Sequence, residues 1–248
     1  MLFFRSLIFN SVALLVNLGF FTLMLPALLL PYHAFMRIVG KPWMAMTLWL
    51  FHKIIGVEYE LRGTENIPAA GTGYIVASKH QSAWETMAVA RIFPYPTWIL
   101  KRELMWIPIF GWHLKKAELI PINRGKRGKV LLEMNRIAHQ RIEEGRQVMI
   151  FPEGTRRSVG APPDYKIGVA HLYAELGVSC VPVAHNAGLC WPRKGFIKYP
   201  GKITVEILPV IPAGLRKREF FRLLQDTIET ASNRLVAEAL DAQDRSAT

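Results

Sequence analysis

His80 and Glu85, in Ser78-Lys79-His80-Gln81-Ser82-Ala83-Trp84-Glu85, are the residues of this chain best suited to do chemistry. A histidine whose ring is oriented by a carboxylate can take a proton from a hydroxyl near neutral pH. Further along, Phe151-Pro152-Glu153-Gly154-Thr155-Arg156-Arg157-Ser158 offers a glycine for close backbone approach, a hydroxyl and two guanidinium groups. Guanidinium groups bind phosphate through paired, charge-assisted hydrogen bonds. A base and a phosphate cradle together suit attack by a hydroxyl of a phosphorylated molecule.

Local structure must present these groups. Residues 73–78 read as a short buried strand and the apolar run after Ala83 as a helix, which puts His80 in a strand-to-helix turn. On one continuous helix, positions five apart point about 140° away from each other, so a His80–Glu85 pair requires His80 outside the helix. Ser82 is a good N-cap, with Glu85 three residues on, and the helix is expected to begin after it. The same spacing is a capping box, so Glu85 either orients His80 or satisfies a backbone amide. Both readings stand at this point.

Elsewhere, residues 57–61 and 203–207 alternate like strands, and residues 148–151 read as a buried one. Val130, Met134, Ile137, Ala138 and Ile142 fit one helix face that stops at Gly145. A long helix is expected over residues 217–239, with a frayed tail after Asp241. This is the pattern of an α/β domain. No internal repeat is present, so the partition is a membrane-anchoring segment over residues 1–56 and a catalytic domain over residues 57–248.

The anchor is expected from residues 6–36, which contain no Asp, Glu, Lys or Arg. The stretch exceeds a secretory apolar region of about 7–15 residues and no small-residue cleavage pattern follows it. It supplies the roughly 20 apolar residues of a membrane span, while Pro26 and Pro31 allow a re-entrant pair of shorter helices instead. Arg37, Lys41 and Lys53 follow it and only Arg5 precedes it, placing the following domain on the cytoplasmic face of an inner or plasma membrane. Residues 43–55 are a second apolar-aromatic patch suited to the interface.

Composition narrows the partners. The formal net charge of +12 calls for an anionic one. Arg124, Lys126, Arg127 and Lys129 could form a stripe on nucleic acid, but no DNA or RNA module is legible and the uncharged stretch has no use there, so no nucleic acid is expected. Cys180 and Cys190 form no C-x-x-C pair, so neither a disulfide framework nor a metal site is expected. His33, His52, His113, His139, His171 and His185 are read as structural. A G-x-S-x-G elbow, H-E-x-x-H, a Walker A loop and G-x-G-x-x-G are all absent from the sequence.

With these motifs in place, the chain resembles the glycerolipid acyltransferases over residues 57–212. His80 and Glu85 match that family's first motif, a histidine and an acidic residue separated by four positions, and Phe151 to Arg156 match its third. Ile122-Asn123-Arg124 is similar to the end of the second, Val181-Pro182-Val183 to the fourth, and Lys101-Arg102-Glu103-Leu104 to a further stretch. Two departures stand out: most members carry Asp where this chain has Glu85, and the second motif usually begins with Gly where Ala117-Glu118 stands.

The resemblance implies a mixed β-sheet flanked by helices, with His80 and Glu85 catalytic. It implies substrate binding by Lys101, Arg124, Glu153, Gly154, Thr155 and Arg156. The implied acceptor is lysophosphatidic acid, the donor acyl-CoA or acyl carrier protein, and no cofactor is required. Another lysophospholipid acceptor, or an inactive lipid-binding member of the fold, remains open.

Overall fold

Strand β2 (Tyr74–Ser78) is buried along its whole length because it runs through a sheet covered on both faces. The computed structural model describes residues 1–122 and 129–247. Its seven-stranded sheet has the order β1-β7-β6-β2-β5-β3-β4, with β1 Val57–Arg62, β3 Pro96–Lys101, β4 Ile120–Ile122, β5 Gln147–Ile150, β6 Cys180–His185 and β7 Gly201–Ile207. Strands β6, β2, β5, β3 and β4 run parallel, while β7 pairs antiparallel with β6 and parallel with β1. The sheet is therefore mixed, and the loops after β6, β2, β5 and β3 collect along one edge, where ligands of open α/β sheets bind.

Strand alternation divides the core in two. Tyr74 and Val76 pack on one face with Phe9 of α1 (Leu2–Leu23), Leu48 of α3 (Lys41–Leu50) and Trp84 and Val89 of α4 (Trp84–Ile92). Ile75 and Ala77 face the other side, with Ala138 of α6 (Lys129–Glu143), Val169 of α7 (Gly168–Leu176) and Phe220, Leu224 and Ile228 of α8 (Lys217–Ala247). The last three recur every four residues, one stripe of an amphipathic helix. Helix α8 continues to Ala247, so the fraying expected after Asp241 is corrected. The remaining helices are α2 (Tyr32–Phe35) and α5 (Phe110–Lys116).

At the amino end, α1 stops at Leu23, a 3-10 turn holding Pro26 follows, and Pro31 caps α2. Proline removes a backbone donor and fixes φ, which is why the chain turns here and returns through α2 and α3. Helix α1 buries only Ser6, Phe9 and Phe21, and leaves Phe3, Phe4, Leu7, Leu14, Leu15 and Leu18 exposed. It is the one helix among the described residues long and apolar enough to cross a membrane, with mean hydropathy 1.8. Its first turns are also bound to the domain: Phe9 packs on Phe51 and Trp191, and Arg5 Nε donates to Ile54 O at 2.8 Å.

Candidate active site

The turn between β2 and α4 holds His80 clear of the helix, which starts at Trp84. His80 Nδ1 lies 2.8 Å from Glu85 Oε1, and the same oxygen accepts from the backbone N–H groups of Gln81 at 3.1 Å and Ser82 at 2.9 Å. Ser82 Oγ in turn accepts from Trp84 N. One carboxylate oxygen thus does what both sequence readings asked, holding the imidazole and satisfying the turn. With Nδ1–H pointing at a carboxylate, Nε2 carries the ring's basic lone pair.

Glu85 is fully buried. Burial works against its charge, yet the His80 hydrogen bond, the neighbouring His185 and His80, and the Ser82 amide outweigh it and hold the carboxyl below its usual range. His185 lies beneath: Nε2 is 2.8 Å from Lys79 O, and Nδ1 accepts from Ala187 N at 3.2 Å. Burial pushes its pKa down.

The loop after β5 grips the same turn from the other side. Glu153 Oε2 accepts from His80 N at 3.0 Å, and Arg157 N donates to His80 O at 2.7 Å. The Phe151 ring stacks on the imidazole with centroids 3.7 Å apart and planes 11° apart, and Trp98 stacks on Phe151 at 4.4 Å. His80 is therefore fixed through its main chain, one ring nitrogen and one ring face.

A cavity of about 600 Å³ opens at this edge and runs between the sheet and the N-terminal helices. Most of its lining is apolar, including Phe21, Val39, Trp43 and Phe110, and the rings of Phe21 and Phe35 pack on His113. His80, Lys101, Gly154, Thr155 and Arg156 all line it, as do Arg193 and Lys194. Gly154 holds φ +65, a conformation that favours glycine and turns the loop into the cavity.

Two expectations change. Glu153 does not line the cavity: it is wholly buried, with one oxygen on His80 N and the other on Lys79 Nζ at 2.9 Å, so it faces the protein and not a ligand. Lys79 Nζ also meets Glu229 Oε1 of α8 at 2.6 Å. Burial raises the Glu153 carboxyl's pKa against the pull of Lys79. Arg157 turns to Pro162 O at 2.9 Å, leaving Arg156 as the guanidinium of that pair at the cavity. Arg124 lies outside the described residues.

Sequence reasoning missed Lys79, the stacked Phe151, and Arg193 and Lys194. Lys79 carried a signal, being a charged residue between a buried strand and the candidate base. Arg193 and Lys194 carried none, because their place depends on strand order. Among the described residues no group of three or more His, Cys, Asp or Glu could hold a metal ion.

Comparison with known proteins adds to this geometry. Residues 58–186 match the family model described as Acyltransferase. The 1-acyl-sn-glycerol-3-phosphate acyltransferase of Pseudomonas aeruginosa is 39% identical over 185 residues, covering 75% of this chain and 71% of that protein. The 1-acyl-sn-glycerol-3-phosphate acyltransferase alpha of Ovis aries is 29% identical over 189 residues, 74% of this chain and 65% of the relative, so the chain spans just under two thirds of that protein. The crystal structure of the 1-acyl-sn-glycerophosphate acyltransferase from Thermotoga maritima shares the fold, with a TM-score of 0.73 at 19% identity over 95% of this chain and 98% of that one.

Proposed function

The chain belongs to the acyltransferase family, and from that premise we propose that it moves an acyl group from a thioester to the free hydroxyl of lysophosphatidic acid, forming phosphatidic acid. The observation that carries this reading is His80 at the mouth of an apolar cavity, with Nδ1 held by a buried Glu85. The cavity volume of about 600 Å³ is in the range of small-ligand sites and its walls suit an acyl chain.

His80 Nε2 takes the hydroxyl proton as the oxygen attacks the thioester carbonyl. The C–O bond forms and the carbonyl electrons collect on oxygen, where Lys101 supplies positive charge. The tetrahedral species then collapses with cleavage of the C–S bond, and the departing sulfur receives the proton from His80. Glu85 stabilises the imidazolium between these transfers. Arg156, with Arg124, holds the acceptor's phosphate. The direct route also fits the cysteines: both are buried, and burial pushes the Cys190 thiol up to about 12 and Cys180 further, so neither is a ready nucleophile.

The donor is acyl-CoA or acyl carrier protein, and the reaction as written needs no cofactor. The enzyme works on membrane lipid, attached through α1, with its catalytic domain at the cytoplasmic face of the inner or plasma membrane. The exposed apolar side chains of α1 and the cations Arg37, Lys41 and Lys53 after it support that placement.

The test is thiol release by the purified protein from an acyl thioester across a panel of lysophospholipids. Lysophosphatidic acid is expected to give the highest kcat/KM, and His80→Ala to lower turnover by about 10²–10⁴ with unchanged melting. Near-normal turnover by folded His80→Ala protein would remove the mechanism, and a preferred neutral lysolipid would remove the acceptor assignment.

A further inference from the structure

The cavity is lined by the cations Lys101, Arg156, Arg193 and Lys194 and, among the described residues, by no Asp or Glu. None of the four has an ion-pair partner among the described residues. Their places in the fold divide them. Along the sheet edge the order is β6, β2, β5, β3. His80 follows β2, Arg156 follows β5 and Lys101 ends β3, whereas Arg193 and Lys194 follow β6 on the opposite side of the base.

The loop carrying Arg193 and Lys194 is built against the catalytic turn. Gly188 N donates to Gln81 Oε1 at 3.2 Å, tying the loop's start to the residue beside His80. A Cβ on Gly188 would stand 3.0 Å from Gln81 Cβ, so the two segments touch. Tyr199 N closes the loop on Cys190 O at 2.8 Å, Lys198 Nζ donates to Gly195 O and Phe196 O at 2.9 Å each, and Lys198 N donates to Ser6 Oγ of α1 at 2.9 Å. The loop that carries Arg193 and Lys194 is thus tied to the His80 turn at its start and to α1 near its end, and both side chains line the cavity.

This argument rests on the acyl-transfer reading above. That reaction brings two substrates to one base, and an acceptor phosphate on Arg156 occupies the β5 side. Biological acyl thioesters carry phosphate on the pantetheine arm, whether free as the coenzyme or attached to a carrier protein. With the acyl chain in the cavity and the thioester at His80, that arm must leave by the other side of the mouth. We infer that Arg193 and Lys194 form an anion site for the phosphopantetheine arm of the acyl donor, separate from the acceptor's phosphate site.

The experiment measures both KM values in wild type and in Arg193→Ala/Lys194→Ala, using acyl-CoA, acyl carrier protein and acyl-pantetheine lacking phosphate. The donor KM for acyl-CoA is expected to rise about 10- to 100-fold, the worth of one or two charge-assisted bonds, while the acceptor KM holds. An equal rise with the carrier-protein donor assigns the site to the arm's own phosphate. A rise with acyl-CoA alone would place the contact on the nucleotide phosphates and overturn the assignment to the arm. Acyl-pantetheine is expected to give one KM with both proteins. A rise in acceptor KM, or an equal rise with acyl-pantetheine, overturns the inference. Arg193→Lys/Lys194→Arg keeps the charge and is expected to keep the donor KM; an equal loss there would mean packing and not charge, and would also overturn it. Titration with CoA alone separates this inference from the reaction: absence of thiol release from any donor defeats the acyl-transfer reading, whereas CoA binding equal in wild type and double variant defeats the anion site.

Discussion

Glu85, after β2, and Glu153, after β5, are both wholly buried and both accept backbone hydrogen from the His80 turn, yet their environments drive them apart. Glu85 meets an imidazole and amides, and those donors hold it ionised against burial. Glu153 shares the Lys79 ammonium with Glu229, and its burial raises its pKa. The contrast separates a carboxylate that holds the His80 ring from one that fixes the chain carrying it. Burial alone does not set a carboxylate's role; the count and charge of its donors does.

The comparison breaks most visibly at Glu85→Gln. The side chain keeps its shape and its capping oxygen but loses the charge that stabilises the imidazolium, so kcat is expected to fall about 10²–10⁴-fold with little change in melting. A fully active Glu85→Gln enzyme would reduce Glu85 to a cap. Glu153→Gln is expected to act on stability instead. Removing one partner of a buried pair costs about 3 kcal/mol, the low end of the usual range, because Glu229 stays against Lys79. Urea unfolding measures the loss, and turnover per folded molecule is expected to exceed that of Glu85→Gln; the reverse order would exchange the two roles.

Within the β5 loop, Arg156→Ala is expected to raise the lysophospholipid KM by the worth of a charge-assisted contact, about 1.5–3 kcal/mol. Arg157→Ala is expected to leave it unchanged, since that guanidinium is turned to Pro162 and Asp164. Equal KM effects would place both arginines at the acceptor. The subtlest difference lies in pH. Glu85's folded pKa is below 4.5, so its ionisation stabilises the fold above that pH and the contribution is lost as pH falls through the folded value. Glu153's folded pKa is above 4.5, so its contribution is complete below that pH and is lost as pH rises through the folded value. Melting curves against pH are expected to show a small Glu85→Gln deficit that widens as pH rises toward 4.5, and a larger Glu153→Gln deficit that narrows above it. Parallel curves would show that the two carboxylates share one environment.

Local order in the chain already specified much of this. The strand before His80, the helix from Trp84 and the strand before Phe151 follow from periodicity and capping, because each depends on neighbours a few positions away. The Glu85 contact, with partners five residues apart, was one of two readings that the spacing left open. The long helix α8 was legible for the same reason, while Pro26 and Pro31 left a chain reversal and a single span both open.

Contacts of high sequence separation were not. Lys79 meets Glu229 across 150 positions, and Ser6 meets Lys198 across 192. Only the strand order decides that the loop after β6 lies beside the turn after β2, bringing Arg193 and Lys194 to the mouth that His80 serves. The chain by itself determined which groups could do chemistry and which local elements present them, since propensity and hydrophobic period are short-range. Tertiary structure alone decided which buried charges pair and where the cavity opens, because both arise from packing whole faces of the sheet and its helices against one another.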